Sequence, residues 1–146
     1  MSLSTADLHD LPSTFYRVAV KALIRDQAGR LLIGLNEEGK AELPGGGWEH
    51  DESLEDCIRR EIKEEIGVEV DSIGTVSQVA RGFSNRGWRT IRILVDVKVS
   101  SESFVPGDSI VSVKYVTKSE FLALTFANAD SGVADLVNEI WKEAKG

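Results

Sequence analysis

Between residues 46 and 68 the chain carries eight acids, Glu49, Asp51, Glu52, Glu55, Asp56, Glu61, Glu64 and Glu65, against three bases, Arg59, Arg60 and Lys63. The spacing of Glu61, Glu64 and Glu65 suits chemistry, because side chains three and four residues apart are neighbours on a helix surface. Carboxylates held this close repel one another, and burying any of them penalises its ionised form. A hard divalent cation relieves both problems, and an all-oxygen donor set selects Mg²⁺ or Mn²⁺ over Zn²⁺. Surface ion pairs with Arg59, Arg60 and Lys63 would relieve the repulsion as well, so the spacing alone leaves two readings open.

The helix that must carry these residues is predicted over Leu54 to Ile66. Ser53 is placed to cap it, with Asp56 three residues on in a weakened capping box, and Gly67 follows as the C-terminal glycine. Advancing about 100° per residue from Leu54 puts Leu54, Cys57, Ile58, Ile62 and Ile66 on one broad arc. Glu61 and Glu65 fall inside that apolar arc and Glu64 at its edge, whereas Asp56, Arg59 and Lys63 fall on the opposite, solvated side. The angular placement favours the cation over the ion pairs. Just upstream, Leu43-Pro44-Gly45-Gly46-Gly47-Trp48 holds three consecutive glycines, which fit either a tight turn or a backbone brought very close to a metal or phosphate.

The elements around this segment alternate in kind. Val18, Val20, Ala22 and Ile24 alternate with Arg17, Ala19, Lys21 and Leu23, and Gln27-Ala28-Gly29 turns into Leu31 to Leu35, a pattern that predicts a β-hairpin. Residues 68–81 are strand-like but irregular, and Ile91, Ile93, Val95, Val97 and Val99 mark the clearest strand. Val111, Val113 and Tyr115 give another, Ser119 to Leu124 a short helical turn, and residues from Val133 to Ala144 a final amphipathic helix. Interleaved strands and helices imply an α/β or α+β fold with a mixed sheet.

The length of 146 residues suits one domain spanning 1–146, with 1–14 expected to be loosely ordered. A net charge of −7 argues against long nucleic acids and anionic membranes as partners. The box of residues 46–68 accounts for −5 of it, so the acidity is local. One cysteine, Cys57, allows no internal disulfide, and no apolar run suits a signal or a spanning helix, so a cytoplasmic location is expected.

Taken together, Gly46, Glu52, Arg60, Glu61, Ile62, Glu64, Glu65, Gly67 and Val68 fill every specified position of the Nudix box, G-x5-E-x7-R-E-U-x-E-E-x-G-U with U aliphatic. The chain therefore resembles the MutT-like Nudix hydrolases, over about residues 15 to 144, with high specificity in the box. The resemblance implies an α/β/α sandwich and hydrolysis of a nucleoside diphosphate linked to another moiety. It further implies that Glu61, Glu64 and Glu65 hold Mg²⁺, with Mn²⁺ as a substitute and the Gly46 carbonyl as a further ligand. Arg60 and Glu52 would form the supporting ion pair, and Glu64 is a candidate general base. Many members carry an acid at the position held here by Ser109, with Asp108 one residue off. Many also dimerise, which makes a homodimer an expectation by analogy.

Residues 81–92 contain Arg81, Arg86, Arg89 and Arg92 and no acid, with Phe83 and Trp88 between them. Arg81, Arg86, Trp88 and Arg89 are candidates for phosphate contact and base stacking, against the alternative of a solvated hairpin tip. The downstream proline and tyrosine that mark the ADP-ribose and dinucleoside polyphosphate subclasses are absent. By elimination a nucleoside triphosphate is the expected substrate, with ADP-ribose, dinucleoside polyphosphates, sugar nucleotides or non-catalytic nucleotide binding as alternatives. Gly34 to Ala41 nearly spells a P-loop but lacks the required Ser or Thr and a following helix. His50 reads as an exposed loop histidine, Cys57 as a buried apolar residue, and Trp48 as lining either the pocket or the core.

Overall fold

The computed structural model describes residues 16–84, 87–127, 130 and 132–142. In chain order it contains β1 (Arg17–Leu23), β2 (Leu31–Leu35), β3 (Ala41–Glu42), β4 (Gly45–Gly47), α1 (Leu54–Ile66), β5 (Val70–Phe83), β6 (Arg89–Val99) and β7 (Ser112–Val116). Then follow α2 (Lys118–Leu122), a 3₁₀ turn (Ala134–Leu136) and α3 (Val137–Ile140). The fold is mixed α/β. Its larger sheet has the order β4-β1-β6-β5, with β1 and β6 parallel and β4 and β5 antiparallel to their neighbours. A smaller antiparallel sheet has the order β3-β2-β7.

Both faces of β1 are covered. Val20, Ala22 and Ile24 pack with Cys57, Ile58, Ile62 and Ile66 of α1 and with Val95 and Val97 of β6. Leu23, on the other face, packs with Leu31, Ile33, Leu43, Leu94, Phe121 and Ile140. The larger sheet therefore carries α1 on one face and the short helices on the other, and the smaller sheet contributes to both cores, Leu32, Val113 and Tyr115 to the first and Leu31, Ile33 and Val116 to the second.

The predicted hairpin of β1 and β2 is reduced to its turn and one antiparallel bridge. The two strands belong to different sheets, and they meet only at the turn, where the Leu32 amide donates to the Ile24 carbonyl at 2.8 Å and Arg25 bridges Leu31. Both edges of β1 are already taken, by β4 and β6, and β2 buries Leu31, Leu32 and Ile33 completely. The irregular pattern of β5 has a direct cause in three register shifts between Val70 and Gln78, which break the period of two. The last helix is shorter than predicted, because the backbone leaves helical geometry at Leu136 and again at Trp141. Its apolar residues still pack on the second core. Residues 1–14 and Ala144 lie outside the described residues. The P-loop-like segment is a turn in which the Asn36 side chain accepts the Glu38 and Lys40 amides. Among the described residues no helix is long and apolar enough to cross a membrane.

Candidate active site

The capping predicted for α1 is present in full. Ser53 Oγ accepts the Asp56 amide at 3.0 Å while Asp56 Oδ2 accepts the Ser53 amide at 3.4 Å, and Gly67 closes the helix in the left-handed region at φ 70. Burial then follows the wheel: Glu65 is 6% exposed, the Glu61 side chain 12% and the Glu64 side chain 45%. The ion-pair reading narrows to one base. Arg59 donates to the Val70 carbonyl at 3.0 Å and Lys63 pairs with Glu69 at 2.8 Å, so only Arg60 turns toward the glutamates.

Arg60 is the hub of the cluster. Its Nη2 and Nε reach the two oxygens of Glu52 at 2.7 and 3.0 Å, a bidentate pair, and Nη2 also donates to the Gly47 carbonyl at 3.2 Å. Its Nη1 reaches Glu61 at 2.8 Å and Glu64 at 3.5 Å. The Arg60 bonds, helped by the Glu49 amide, hold the Glu52 carboxyl down at about 2. Trp48 ties the same loop down through its indole N–H, which donates to the Glu52 carbonyl at 2.9 Å. Trp48 is 39% exposed, so it covers the loop and not the core, and His50 is exposed as expected.

The glycines face these carboxylates. A Cβ at Gly46 would lie 2.6 Å from Glu61 Oε1, so only glycine lets this strand approach so closely. At Gly45 φ is 134 and a Cβ would meet the Val20 carbonyl at 2.1 Å. The Gly45 amide donates to Glu65 Oε1 at 3.2 Å. Burial pushes the Glu65 carboxyl up to about 8, against the pull of the Lys21 ammonium and with Glu61 adding to the rise. Among the described residues no three His, Cys, Asp or Glu side chains are gathered closely enough to hold a metal as they stand, but Glu61 and Glu65 beside the Gly45-Gly46 backbone offer only oxygen donors, the chemistry that suits Mg²⁺ or Mn²⁺.

Residues 15–137 match the model of the NUDIX domain. The chain belongs to the NUDIX family. Solved structures share the fold: the MutT protein of Methanosarcina mazei Go1 has a TM-score of 0.75 at 24% identity, covering 93% of this chain and 100% of its own. An ADP-ribose pyrophosphatase of Streptococcus suis gives 0.66 at 18% identity, covering 90% and 94%. The NUDIX domain of Shewanella oneidensis NrtR, complexed with ADP ribose, gives 0.67 at 21% identity, covering 96% and 98%. No curated protein sequence matches the chain.

NUDIX enzymes are generally pyrophosphohydrolases that use divalent metal ions. The arginine segment lies apart from the box. Arg81 and Arg89 are exposed on β5 and β6, and among the described residues neither bonds to the box. Pairing registers set Gly46, Val20, Ile93 and Val79 in one row across the sheet, with Arg81 and then Phe83 further along the same face. Arg81 therefore lies roughly 15 Å from Gly46 on the face that carries α1. Trp88 is half-buried at the hairpin end, and Arg86 lies outside the described residues. Arg92, counted in the positive patch, is 2% exposed on the opposite face and pairs with Asp130 at 3.2 Å. The patch is correspondingly weaker.

Asp108 follows a loop that caps α1, where the Val105 and Gly107 amides donate to the Ile66 and Glu65 carbonyls, each at 2.9 Å. The loop turns sharply at Asp108, whose φ is 52. Ser109 instead sits against the Glu42 carboxylate. The sequence reading missed the buried Lys21, which reaches the glycine segment from β1. The one signal for it was a lysine alternating with Leu23 on a strand that is otherwise apolar beyond Arg17.

Proposed function

We propose that the chain is a Mg²⁺-dependent pyrophosphohydrolase that cleaves the pyrophosphate linkage of a nucleotide, with a nucleoside triphosphate as its substrate. The observation that carries this reading is the convergence of Glu61 and Glu65 on the Gly45-Gly46 backbone, braced by the bidentate Arg60–Glu52 pair. In it Glu61, Glu64, Glu65 and the Gly46 carbonyl would hold the metal. When bound, the cation neutralises phosphate charge and lowers the pKa of the attacking water.

The chain's own residues do the rest. Arg60 keeps Glu61 and Glu64 oriented through Nη1 while Glu52 fixes the guanidinium plane. Glu64, the most exposed of the three, is the candidate to take the proton from water. Arg81 and Arg89, with the exposed ring of Phe83, offer phosphate contacts and a stacking surface along the face beside α1, and Trp88 at the hairpin end and Arg86 belong to the same proposed set.

A second reading is supported by the likeness to the ADP-ribose pyrophosphatase and to the NrtR domain complexed with ADP ribose: a different nucleoside diphosphate derivative as substrate. Simple nucleotide binding without cleavage would not require a complete set of Glu61, Glu64, Glu65 and Arg60. An assay with Mg²⁺ across NTPs, dNTPs, oxidised dNTPs, ADP-ribose, dinucleoside polyphosphates and sugar nucleotides, reading phosphate, pyrophosphate and nucleotide products, separates these readings. Preferred release of pyrophosphate from a triphosphate supports the first. Preference for another diphosphate derivative supports the second, and no turnover on any of them contradicts both.

A further inference from the structure

Lys21 is 6% exposed, on the face of β1 away from α1. Its Nζ lies 3.1 Å from the Gly45 carbonyl, 3.2 Å from the Leu43 carbonyl and 3.6 Å from Asp130 Oδ1. The ammonium thus donates to two backbone carbonyls and forms a longer ion pair with the buried Asp130 carboxylate. Asp130, fully buried, accepts the Leu43 amide on Oδ2 at 2.6 Å and is flanked on its other oxygen by Arg92. The Pro44 carbonyl accepts the Ala22 amide at 2.8 Å, and the Gly45 amide is held by Glu65. From the Leu43 amide to the Gly45 carbonyl, every backbone polar group is therefore engaged.

The Gly45 carbonyl and the Gly46 amide share one peptide plane, so whatever fixes that carbonyl also fixes the start of Gly46. Burying a lysine is costly unless its charge is paired and its donors are used, and an apolar side chain would fill the same space without reaching either carbonyl. We propose that Lys21 is a positioning residue that sets the Gly45–Gly46 peptide against Glu61 and Glu65, and that Asp130 seats Lys21. The inference rests on the metal-dependent reading above and adds to it a buried brace from β1 and the Asp130 segment, outside the box.

The test is Mn²⁺ titration calorimetry without nucleotide on the wild type, Lys21→Met and Asp130→Asn, with amide hydrogen exchange and thermal unfolding alongside. Lys21→Met should weaken Mn²⁺ binding about tenfold or more and speed exchange within residues 43–47. It should also raise the Mg²⁺ needed for half-maximal turnover while the nucleotide KM at saturating metal stays nearly constant. A merely structural lysine would lower the unfolding temperature without moving the metal affinity of the folded fraction. Asp130→Asn keeps an acceptor for the Leu43 amide and should weaken Mn²⁺ binding by a smaller factor. Folded variants that bind Mn²⁺ within about twofold of wild type overturn the inference while leaving the metal reading intact. If Lys21→Met does not fold, unchanged affinity in Asp130→Asn overturns it. A wild type that binds no Mn²⁺ overturns the metal reading and this inference with it.

Discussion

Arg60 grips Glu52 through two parallel hydrogen bonds, Nη2 to Oε1 at 2.7 Å and Nε to Oε2 at 3.0 Å. The pair fixes the guanidinium plane, so that Nη1 faces Glu61 and Glu64. Glu52→Gln turns one acceptor of that fork into a donor and frees the plane to rotate. Metal affinity should fall about 10- to 100-fold with the helix intact, as measured by Mg²⁺ dependence of turnover beside circular dichroism. Because Arg60 holds the Glu52 carboxyl down at about 2, the pair contributes fully above the ordinary value of 4.5 and is lost as pH falls toward 2.

The box was legible because its spacing is set by the helical period and its ends by local capping, from Ser53 to Gly67. Glu61 and Glu65 could be placed on the core face before any tertiary contact was known. Strand pairing was not legible in the same way. Leu31 to Leu35 is apolar on consecutive residues, which suits a strand buried on both faces but does not name its partner, and β2 pairs with β7 some eighty residues on. Buried charges were hidden for a related reason: Lys21, Arg92 and Asp130 are each ordinary surface residue types, and only the folded topology brings them together.

Glu65 carries a distinct pH signature. In metal-free protein its carboxyl titrates at about 8 in place of 4.5, so the folded state holds a proton that the unfolded chain has lost. Stability should therefore fall as pH rises from about 4.5 to about 8, on the order of a few kcal/mol in total. Glu65→Gln should flatten that profile in denaturant titrations and cut metal-dependent turnover by about a hundredfold or more. A variant as pH-sensitive as the wild type over this range contradicts the assignment.

The two glycines should respond differently to alanine. At Gly46 the obstruction is the Glu61 carboxylate, so Gly46→Ala should fold with a cost of about 1 kcal/mol and lose about tenfold in metal affinity. At Gly45 the obstruction is the β1 backbone and φ is positive, so Gly45→Ala should cost several times more stability, on the order of 3 kcal/mol. Thermal unfolding of the two variants side by side checks the order.

Cys57 is fully buried on the core face of α1, and burial with Glu52 nearby pushes its thiol up to about 12. Native protein at pH 8 should resist iodoacetamide, with alkylation appearing only as the domain unfolds. Mass spectrometry across a urea series reads this directly, and rapid labelling of the native state would place Cys57 outside the core.

The central claim is that a cation held by Glu61, Glu64 and Glu65 is required for hydrolysis. It is tested most directly by measuring turnover of the preferred nucleotide in Mg²⁺, then with chelator in excess, then with Mg²⁺ restored. The account predicts loss of turnover with chelator and full recovery on restoring the metal, with little turnover under any condition for Glu61→Gln. Wild-type turnover that survives excess chelator would contradict it.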